Sequence, residues 1–524
     1  MEQFFKLVYG DYLQRTRSYA FLITLAISLY AAYLFVPTQD ANYTTLRIGN
    51  YLGVNNSAWT GYVTAMMTSV FLSAIGFYLI NSNIKKDIST GVGMIIATTS
   101  ITNFRYLLCK ALSNFLILLT ITTIIAAMSA AVFLVRPSTY AFEPMAFITP
   151  FLLITAPTLF FISSFAVLTE TLLYKYTTLM NICFLFIFIA LLPAQQTTAP
   201  VFDLLGIKTV TSGMQNLVRE NFHEQHTNVS MGFHVGRKGH LTPFVFEGLQ
   251  WTGFYVMIRL FWMGIGLVLI YASSLFFHRF DISERIKKQK KQKLTSAPAT
   301  DGTLQTQVDK IYKEIRLGSL PTIKPSFGII PLIKTELLML FRKGPKWLWV
   351  LNLGGMVALV FVPITIAHLV VLPVLWFLQI GRWSDLSTKE KTHRIHYFTY
   401  ASYKPLSRLF SAQLLAGTIL SAALTIPLLL RYAIAMELMP IISILLGAIF
   451  IVVLAVFIGI ISGGKKLFEI LFFFLTYSNV NKIPILDYFG AINKGINYIG
   501  LMAILTLLIT MLSYLWRKFE INSL

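Results

Sequence analysis

Long apolar segments alternate with short polar or basic segments along nearly the whole chain. A transmembrane helix needs roughly 20 apolar residues to cross about 30 Å of hydrocarbon, and twelve segments are candidates of this kind. They begin near Ser18, Trp59, Leu107, Phe147, Leu172 and Trp251 in the first half, and near Trp347, Ile366, Arg408, Ile441, Leu467 and Asn497 in the second. The pattern therefore predicts an all-α, polytopic membrane protein with about 12 transmembrane helices.

The composition also indicates that the chain lies in a lipid bilayer. Hydrophobic residues make up 56% of the chain and charged residues 12%, with a mean hydropathy of +0.68. An ordinary soluble domain has about 25% charged residues, so a soluble globule is excluded. The start is not interpreted as a cleaved signal sequence, because residues 4–17 are too long and too amphipathic for its basic lead.

Basic residues orient the predicted helices. They precede the first apolar segment, surround the loop after the second and follow the last, at Lys6, Arg15, Arg17, Lys85, Lys86, Arg105, Lys110, Arg517 and Lys518. Lys and Arg near span ends remain cytoplasmic, so we predict that both termini and this loop are inside. Residues 347–381 leave two alternatives, namely two crossings of minimal length or one tilted span that inverts everything after it.

The chain contains one unit twice. Each copy has an amphipathic lead-in, apolar segments, a loop on the inside and the segment Pro-x-x-Asp-x-x-Gly between its last two apolar segments. That segment contains Pro200, Asp203 and Gly206 in the first copy and Pro484, Asp487 and Gly490 in the second. We therefore predict two six-helix halves, residues 1–277 and 329–524, joined by a cytoplasmic linker at residues 278–328. Internal repeats commonly build a pathway between two halves.

The net charge and the cysteines do not indicate a further binding partner or site. The charge of +21 is concentrated at span ends and in the linker, as membrane topology and anionic lipid headgroups require, so nucleic acid is not expected as a partner. We interpret the linker as a solvated, lipid-facing tether rather than a regulatory site. Cys109 and Cys183 are too few for a disulfide framework or a metal cluster.

The loop after the second apolar segment carries a recognisable order of residues. Asp87 and Gly91 precede a run from Phe104 through Arg105 to Lys110 that reads aromatic-basic-aromatic-Leu-Leu-Cys-Lys. This order resembles the loop between the second and third spans of type 2 ATP-binding-cassette (ABC) exporter permeases. The chain departs from that family's usual Pro, Arg and Gly at Ser100, Asn103 and Cys109.

The second half carries a looser copy of this loop. When Gln413 is aligned with Lys110, Glu390 falls on Asp87 and Arg408 falls on Arg105. By resemblance, both loops are projections that fit into clefts of ATPase domains, with charges that fix register. The alternative is that they are ordinary basic inside loops.

The lead-ins of the two halves also match. Asp11 precedes Arg17 by the same number of residues as Glu336 precedes Arg342. Such segments can lie in the headgroup plane, and they resemble the interfacial elbow helices of this family. The family resemblance also implies that residues 195–250 and 477–498 fold back as outer re-entrant helices.

A motor is expected in other subunits. The chain has no G-x-x-x-x-G-K-[ST] segment, so the resemblance implies a permease without its own ATPase site and without a cofactor of its own. Two copies of one ATPase subunit, or two different ones, would bind ATP and Mg²⁺. The expected location is a bacterial plasma membrane, with membrane lipids as neighbours and a hydrophobic or amphipathic substrate for export.

Other functions remain as alternatives. Almost no Asp or Glu lies inside the apolar segments, which argues against an ion-coupled transporter. The nearest ionisable residues are Glu170, Arg259, His368, Arg431, Glu437 and Glu469. A membrane-embedded enzyme acting on lipid or glycan would need the outer histidines, which are His223, His226, His234 and His240. We expect no metal there, because a His-x-x-His pair without nearby Cys is usually incidental. A scaffold without transport activity is the third alternative.

Overall fold

The computed structural model describes residues 2–37, 43–81, 83–136, 140–173, 177–197, 200–223, 228–235, 241–277, 328–480, 487–493 and 495–523. Helices make up most of these residues. The prediction of a mostly helical, multi-pass membrane protein is confirmed, because seven helices are long and apolar enough to cross a membrane, or up to nine if each bent pair is one span. The count of twelve crossings remains a prediction.

The first half begins with α1 (Glu2–Thr16) and α2 (Tyr19–Phe35), followed by strands β1 (Tyr43–Ile48) and β2 (Tyr51–Gly53). Helices α3 (Ser57–Ile80), α4 (Asn83–Thr90), α5 (Val92–Ala97) and α6 (Asn103–Val135) come next. Then α7 (Pro144–Pro150) continues through a π-helical turn (Phe151–Thr155) into α8 (Ala156–Leu173). Helix α9 (Thr177–Thr197), a 3₁₀ turn (Pro200–Phe202), α10 (Ile207–Phe222), β3 (Val229–Val235), β4 (Thr242–Phe244) and α11 (Gly253–Phe276) complete it.

The second half begins with α12 (Ile330–Arg342), α13 (Trp347–Phe361) and α14 (Ile364–Ile366). A π-helical turn (Ala367–Val371) leads into α15 (Leu372–Phe377), followed by α16 (Ile380–Trp383), α17 (Lys389–Thr392) and α18 (His396–Tyr400). A second π-helical turn (Leu406–Phe410) leads into α19 (Ser411–Ile434). The last helices are α20 (Leu438–Ser462), α21 (Lys466–Val480) and α22 (Ile496–Asn522).

The segment that the sequence left open between one and two crossings, residues 347–381, folds back on itself. The side-chain amide of Gln379 donates a 2.7 Å hydrogen bond to Asn352 Oδ1, and the guanidinium of Arg382 lies 4.5 Å from the ring centroid of Trp349. Residues on either side of the break after α13 therefore pair in antiparallel order. Both ends of this hairpin consequently lie at the same end of the bundle.

Contacts bring the basic loops and both terminal helices together at one end, which we call the basic end. Lys110 in α6 pairs with Asp11 in α1, and Lys391 pairs with Glu520 near the end of α22. The amino group of Lys466, at the start of α21, lies 3.3 Å from a carbonyl oxygen at the end of α3. The side of the membrane that this end faces stays a prediction.

A small β-sheet lies at the opposite end, which we call the sheet end. Its strands are in the order β3-β1-β2-β4 and come from two loops of the first half that are far apart in the chain. The sequence analysis predicted helices alone. It missed this sheet because each strand has only three to seven residues and its partner is distant in sequence.

One continuous apolar core runs through both halves. Helix α3 is almost entirely buried, whereas most of α22 is exposed. Exposed apolar faces of this kind are expected where a helix contacts lipid. Helix α3 therefore lies at the centre of the molecule, where it contacts α21 of the other half.

Candidate functional site

The loop between α3 and α6, residues 83–102, is called the first loop, and it stands on a buried network of charges. Lys110 Nζ lies 2.6 Å from Asp11 Oδ1 and 2.9 Å from Asp87 Oδ2. The hydroxyl of Tyr106 donates to Asp87 and that of Ser113 donates to Asp11. These contacts connect α1, α4 and α6. A buried lysine with two carboxylate partners holds such a junction in one geometry.

Burial would raise the pKa of the Asp11 carboxyl, but the opposite charges of Lys110 and Arg15 outweigh it and lower that pKa. Asp11 is therefore ionised at neutral pH. Its ionic partner within α1 is Arg15, at 3.8 Å, and not Arg17. Both Arg17 and Arg342 are exposed. At α1 and at α12 the acid thus faces the bundle, and the basic residue six positions later faces outward.

The loop between α16 and α19, residues 384–405, is called the second loop, and it has a comparable support. Gln413 Nε2 donates a 2.7 Å hydrogen bond to Glu390 Oε1, and Lys389 pairs with Glu336 of α12. Burial raises the pKa of Glu390 despite the attraction of Lys389. The other oxygen of this carboxylate, Oε2, has no hydrogen-bond partner among the described residues.

The two supports occupy matching positions in the repeat. Asp87 and Lys110 are 23 residues apart, as are Glu390 and Gln413, and each pair is in direct contact. Four residues after each acid, the backbone adopts a left-handed conformation, at Gly91 (φ +77°) and at a non-glycine residue of the second loop (φ +57°). The loops therefore share the spacing of their supporting residues and the position of the turn.

The two arginines of these loops lie outside the supports. Arg105 is exposed in the first turn of α6. Arg408 lies in the π-helical turn before α19, where its guanidinium donates to the carbonyl of Tyr403 at 3.2 Å. Neither arginine contacts the acid of its own loop among the described residues.

The Pro-x-x-Asp-x-x-Gly segments share one backbone arrangement at the sheet end. In the first, Asp203 Oδ2 accepts a 2.8 Å hydrogen bond from the N–H of Thr209. In the second, Asp487 Oδ2 accepts a 2.9 Å bond from the N–H of Asn493. In both cases the donor follows the acid by six residues. Pro200 starts the 3₁₀ turn, while Pro484 lies outside the described residues.

Glycine is required at the turn of each segment. Gly206 and Gly490 both have φ +73°. A Cβ at Gly206 would lie 2.5 Å from Ile154 Cγ2, and one at Gly490 would lie 2.5 Å from Ser443 Cβ. Both neighbours are on the long helix that precedes α9 or α21 in its half. Each segment is therefore packed directly against a membrane helix.

The first segment has an additional ionic contact. Arg259 of α11 is buried, donates a 3.0 Å hydrogen bond to the carbonyl of Leu204 and lies 3.9 Å from Asp203. Its guanidinium also lies 4.5 Å from the ring centroid of Tyr255. Asp487 has no ionic partner among the described residues. The first Pro-x-x-Asp-x-x-Gly segment is thus held by charge as well as by backbone hydrogen bonds.

The two halves meet where α21 packs against α3 and α9, and we call this contact the seam. At its basic end, the amide of Asn181 donates a 3.2 Å hydrogen bond to Glu469, and Lys466 reaches the carbonyls of Tyr78 and Leu79. Farther along α21, rings from both halves are in contact. The ring pairs are Tyr78–Phe473, Phe184–Phe473, Phe188–Phe473 and Phe188–Tyr477.

Sequence reasoning noted Glu469 only as an ionisable residue near a span end, and it did not single out Lys466. Lys466 and Glu469 are one helical turn apart at the start of an apolar segment, a spacing that places both on one face of α21. That spacing was the available signal. Glu170 was noted only as lying near a span end, yet its carboxylate accepts a 3.0 Å hydrogen bond from the backbone N–H of Lys85 at the start of α4.

Metal ligands do not converge in the described part of the chain, where no group of three or more His, Cys, Asp or Glu side chains could hold a metal ion. His223 ends α10 with φ +56°. His226 and His240 lie outside the described residues, as does the side chain of His234.

Comparison with family models, curated proteins and solved structures found no match for this chain.

Proposed function

We propose that this chain is the membrane-spanning subunit of an ATP-driven ABC exporter in a bacterial plasma membrane. Two nucleotide-binding ATPase subunits bind its first and second loops on the cytoplasmic side. Nucleotide-driven movement of these subunits rocks the two halves and opens the seam to one side or the other.

The matched support of the two loops is the observation that carries this proposal. Asp87 and Lys110 in one half, and Glu390 and Gln413 in the other, are equally spaced in sequence and fix the two loops at the same end of the molecule. A soluble ATPase can tilt membrane helices only through rigid projections of the membrane protein. Buried and partnered side chains at the base of each loop provide such stiffness.

The seam suits the pathway of an amphipathic substrate. Its basic end carries Lys466, Glu469 and Asn181, whereas aromatic rings such as Phe473 and Tyr477 line the part beyond. Separation of the halves would expose a polar mouth followed by an apolar wall. At the sheet end, the two outer segments close the same bundle.

Co-purification tests the proposal directly. The chain is co-expressed with candidate Walker-motif ATPase subunits from the same organism, and the expected product is a complex with two ATPase subunits per chain. Replacing both support acids, Asp87→Ala with Glu390→Ala, is expected to weaken the complex by at least about tenfold, equal to about 1.4 kcal/mol. A wild-type chain that never binds the ATPase would refute the proposal.

Cross-linking the seam tests the pathway. In a chain with Cys109 and Cys183 replaced by serine, a short bifunctional maleimide joins Phe188→Cys to Tyr477→Cys, whose rings are 6.0 Å apart in the seam. ATP turnover of the complex should fall at least about tenfold. The control joins Phe115→Cys to Phe160→Cys within the first half, whose rings are 5.6 Å apart. Equal turnover in both cross-linked proteins would contradict a moving seam.

A further inference from the structure

Both loops end in an exposed apolar tip at the basic end of the molecule. The first tip comprises Val92, Met94 and Ile95, and the second tip comprises Ile395, Tyr397 and Phe398. Side chains of the first tip are 41% to 68% exposed, and those of the second are 45% to 82% exposed. Exposed apolar clusters rimmed by polar residues commonly mark protein interaction sites.

The tips occupy identical positions in the repeat. Each has apolar residues at the first, third and fourth positions after the left-handed residue, which is Gly91 in the first loop and Arg394 in the second. At each of these three positions the two tips carry different residues. The two tips thus differ in their side chains but keep the same spacing of apolar positions. This equal spacing indicates that both tips insert into recesses of the same spacing.

A protein fits these tips better than a lipid surface does. Lipid accepts an apolar and basic segment in almost any conformation, whereas the second loop holds Arg394 at φ +57°, an unfavourable conformation for a residue other than glycine. Arg394 is exposed, as are His393 and Lys404 of the same loop. The partner surface that complements this loop is therefore an apolar recess with an acidic rim.

The second tip presents more aromatic surface to a binding partner than the first tip does. A buried aromatic side chain contributes about 150–250 Å² of contact area, and Tyr and other aromatic residues dominate the binding energy of protein interfaces. Tyr397 and Phe398 are also the more exposed pair of the two tips. The first tip presents only Met94 and Ile95 at the same positions.

The second loop is also held in place on both sides of its tip. Lys391 pairs with Glu520 of α22, and Arg517 of the same helix hydrogen-bonds the hydroxyl of Tyr400 and donates to the carbonyl of Ser387 at 3.2 Å. The C-terminal helix thus fixes both sides of the second tip. Less conformational freedom is then lost when a partner binds.

We propose that the two ATPase contacts are unequal and that the second tip, through Tyr397 and Phe398, is the principal anchor for the ATPase subunits. The first tip completes the contact and transmits movement with little binding energy of its own. This inference rests on the proposed exporter function. From the repeat alone, the two halves would be expected to contribute equally to binding of the ATPase subunits.

Alanine substitution in each tip separates the two contributions. The chain is placed in nanodiscs of neutral phosphatidylcholine, which removes attraction to anionic lipid, and the dissociation constant of the purified ATPase is measured. Tyr397→Ala with Phe398→Ala is expected to weaken binding at least about thirtyfold, and Met94→Ala with Ile95→Ala no more than about threefold. All four side chains are exposed, so thermal stability should not change.

Two further variants sharpen the result. Tyr397→Phe keeps the ring and should leave binding within about twofold of wild type, whereas Met94→Tyr with Ile95→Phe should tighten it at least about threefold. Equal losses from the two alanine pairs, or a larger loss from the first tip, would overturn the unequal anchors while leaving the exporter proposal intact. Failure of the wild-type chain to bind the ATPase would instead remove the exporter proposal itself.

Discussion

Glu390 shows how the second support differs from the first at the scale of single residues. Asp87 faces a lysine, whereas Glu390 faces the neutral amide of Gln413 and keeps one oxygen without a hydrogen-bond partner among the described residues. Burial raises the pKa of Glu390 above its ordinary value. The folded protein therefore favours the protonated acid more than the unfolded chain does.

Glu390→Gln is expected to stabilise the protein at neutral pH. A raised folded-state pKa means that the stabilising contribution is complete below the unfolded pKa and is lost as pH rises through the folded value. Glutamine stays neutral and can donate to Gln413 Oε1, which has no described partner. We expect about 1 kcal/mol at pH 7.5, falling to near zero at pH 4, measured by thermal unfolding in detergent.

Asp87→Asn is the matched control for this change. It removes a charge that pairs with Lys110 at 2.9 Å, so it should lower stability at pH 7.5 by about 1–3 kcal/mol. Destabilisation by Glu390→Gln, or a stabilising effect that persists at pH 4, would contradict the assignment of burial as the dominant influence on Glu390.

Individual contacts were only partly predictable. Alignment of the halves matched Glu390 with Asp87 and Gln413 with Lys110. The structure joins Glu390 to Gln413 by a hydrogen bond, just as it pairs Asp87 with Lys110. The pairing of Glu336 with Lys389 was not predictable, because a sequence does not specify which of several nearby cations an acid meets. The sequence also gave no distance between Asp203 and Arg259, which come from different elements.

At the scale of elements, the outer segments show what a short motif can specify. Proline ends a helix, and glycine permits the left-handed turn. The aspartate then accepts a backbone N–H from beyond the turn, as it does in both halves. The β-sheet could not be predicted from local motifs, because the pairing of β1 with β3 joins residues that are distant in the chain.

Gly206→Ala and Gly490→Ala are each expected to destabilise the protein by about 2–5 kcal/mol. A left-handed backbone costs alanine about 1–2 kcal/mol, and the new Cβ would clash at 2.5 Å with Ile154 or Ser443, which adds about 1–3 kcal/mol. Thermal unfolding in detergent measures the effect. The two substitutions should have similar effects because the two turns share φ +73°.

Gly500→Ala is the control for these turns. This glycine lies within α22, and a Cβ there would meet no atom within 4 Å. Alanine should therefore leave stability unchanged or raise it by about 0.5–1 kcal/mol. A loss at Gly500 as large as that at Gly206 would mean that glycine substitutions in this protein do not report on turn geometry.

At the scale of the whole molecule, periodicity predicted where helices occur, whereas contacts fix how they are arranged. The sequence could not distinguish one crossing from two at residues 347–381, since length alone fits both. The structure folds this segment into a hairpin through Asn352 and Gln379. The seam was equally inaccessible, because apolar residues that face lipid and those that face another helix have the same composition.

Labelling of single cysteines tests the arrangement of the ends. In a chain with Cys109 and Cys183 replaced by serine, a membrane-impermeant maleimide applied to intact cells should label Glu220→Cys and Glu437→Cys. Lys86→Cys and Ser402→Cys, at the basic end, should react only after lysis. All four positions are exposed. The labelled fraction is read by gel shift.

Two patterns of labelling would contradict this arrangement. Reaction of Ser402→Cys in intact cells together with protection of Glu437→Cys would mean that the second half is inverted relative to the first. Reversal at all four positions would mean that the basic end faces outward, against the distribution of Lys and Arg.

The two charged residues that α21 contributes to the seam bear on whether two copies of the same half could assemble with each other. Lys466 and Glu469 both come from α21, while α9, which faces it, has no acidic or basic residue. Two first halves would lack both charges of α21 and would leave Asn181 and the carbonyls at the end of α3 without their present partners. Two second halves would crowd four partly buried charges into a contact that now holds two, without Asn181 to receive them. Separately synthesised halves should therefore choose each other over themselves, and translation as a single polypeptide guarantees that choice in every molecule.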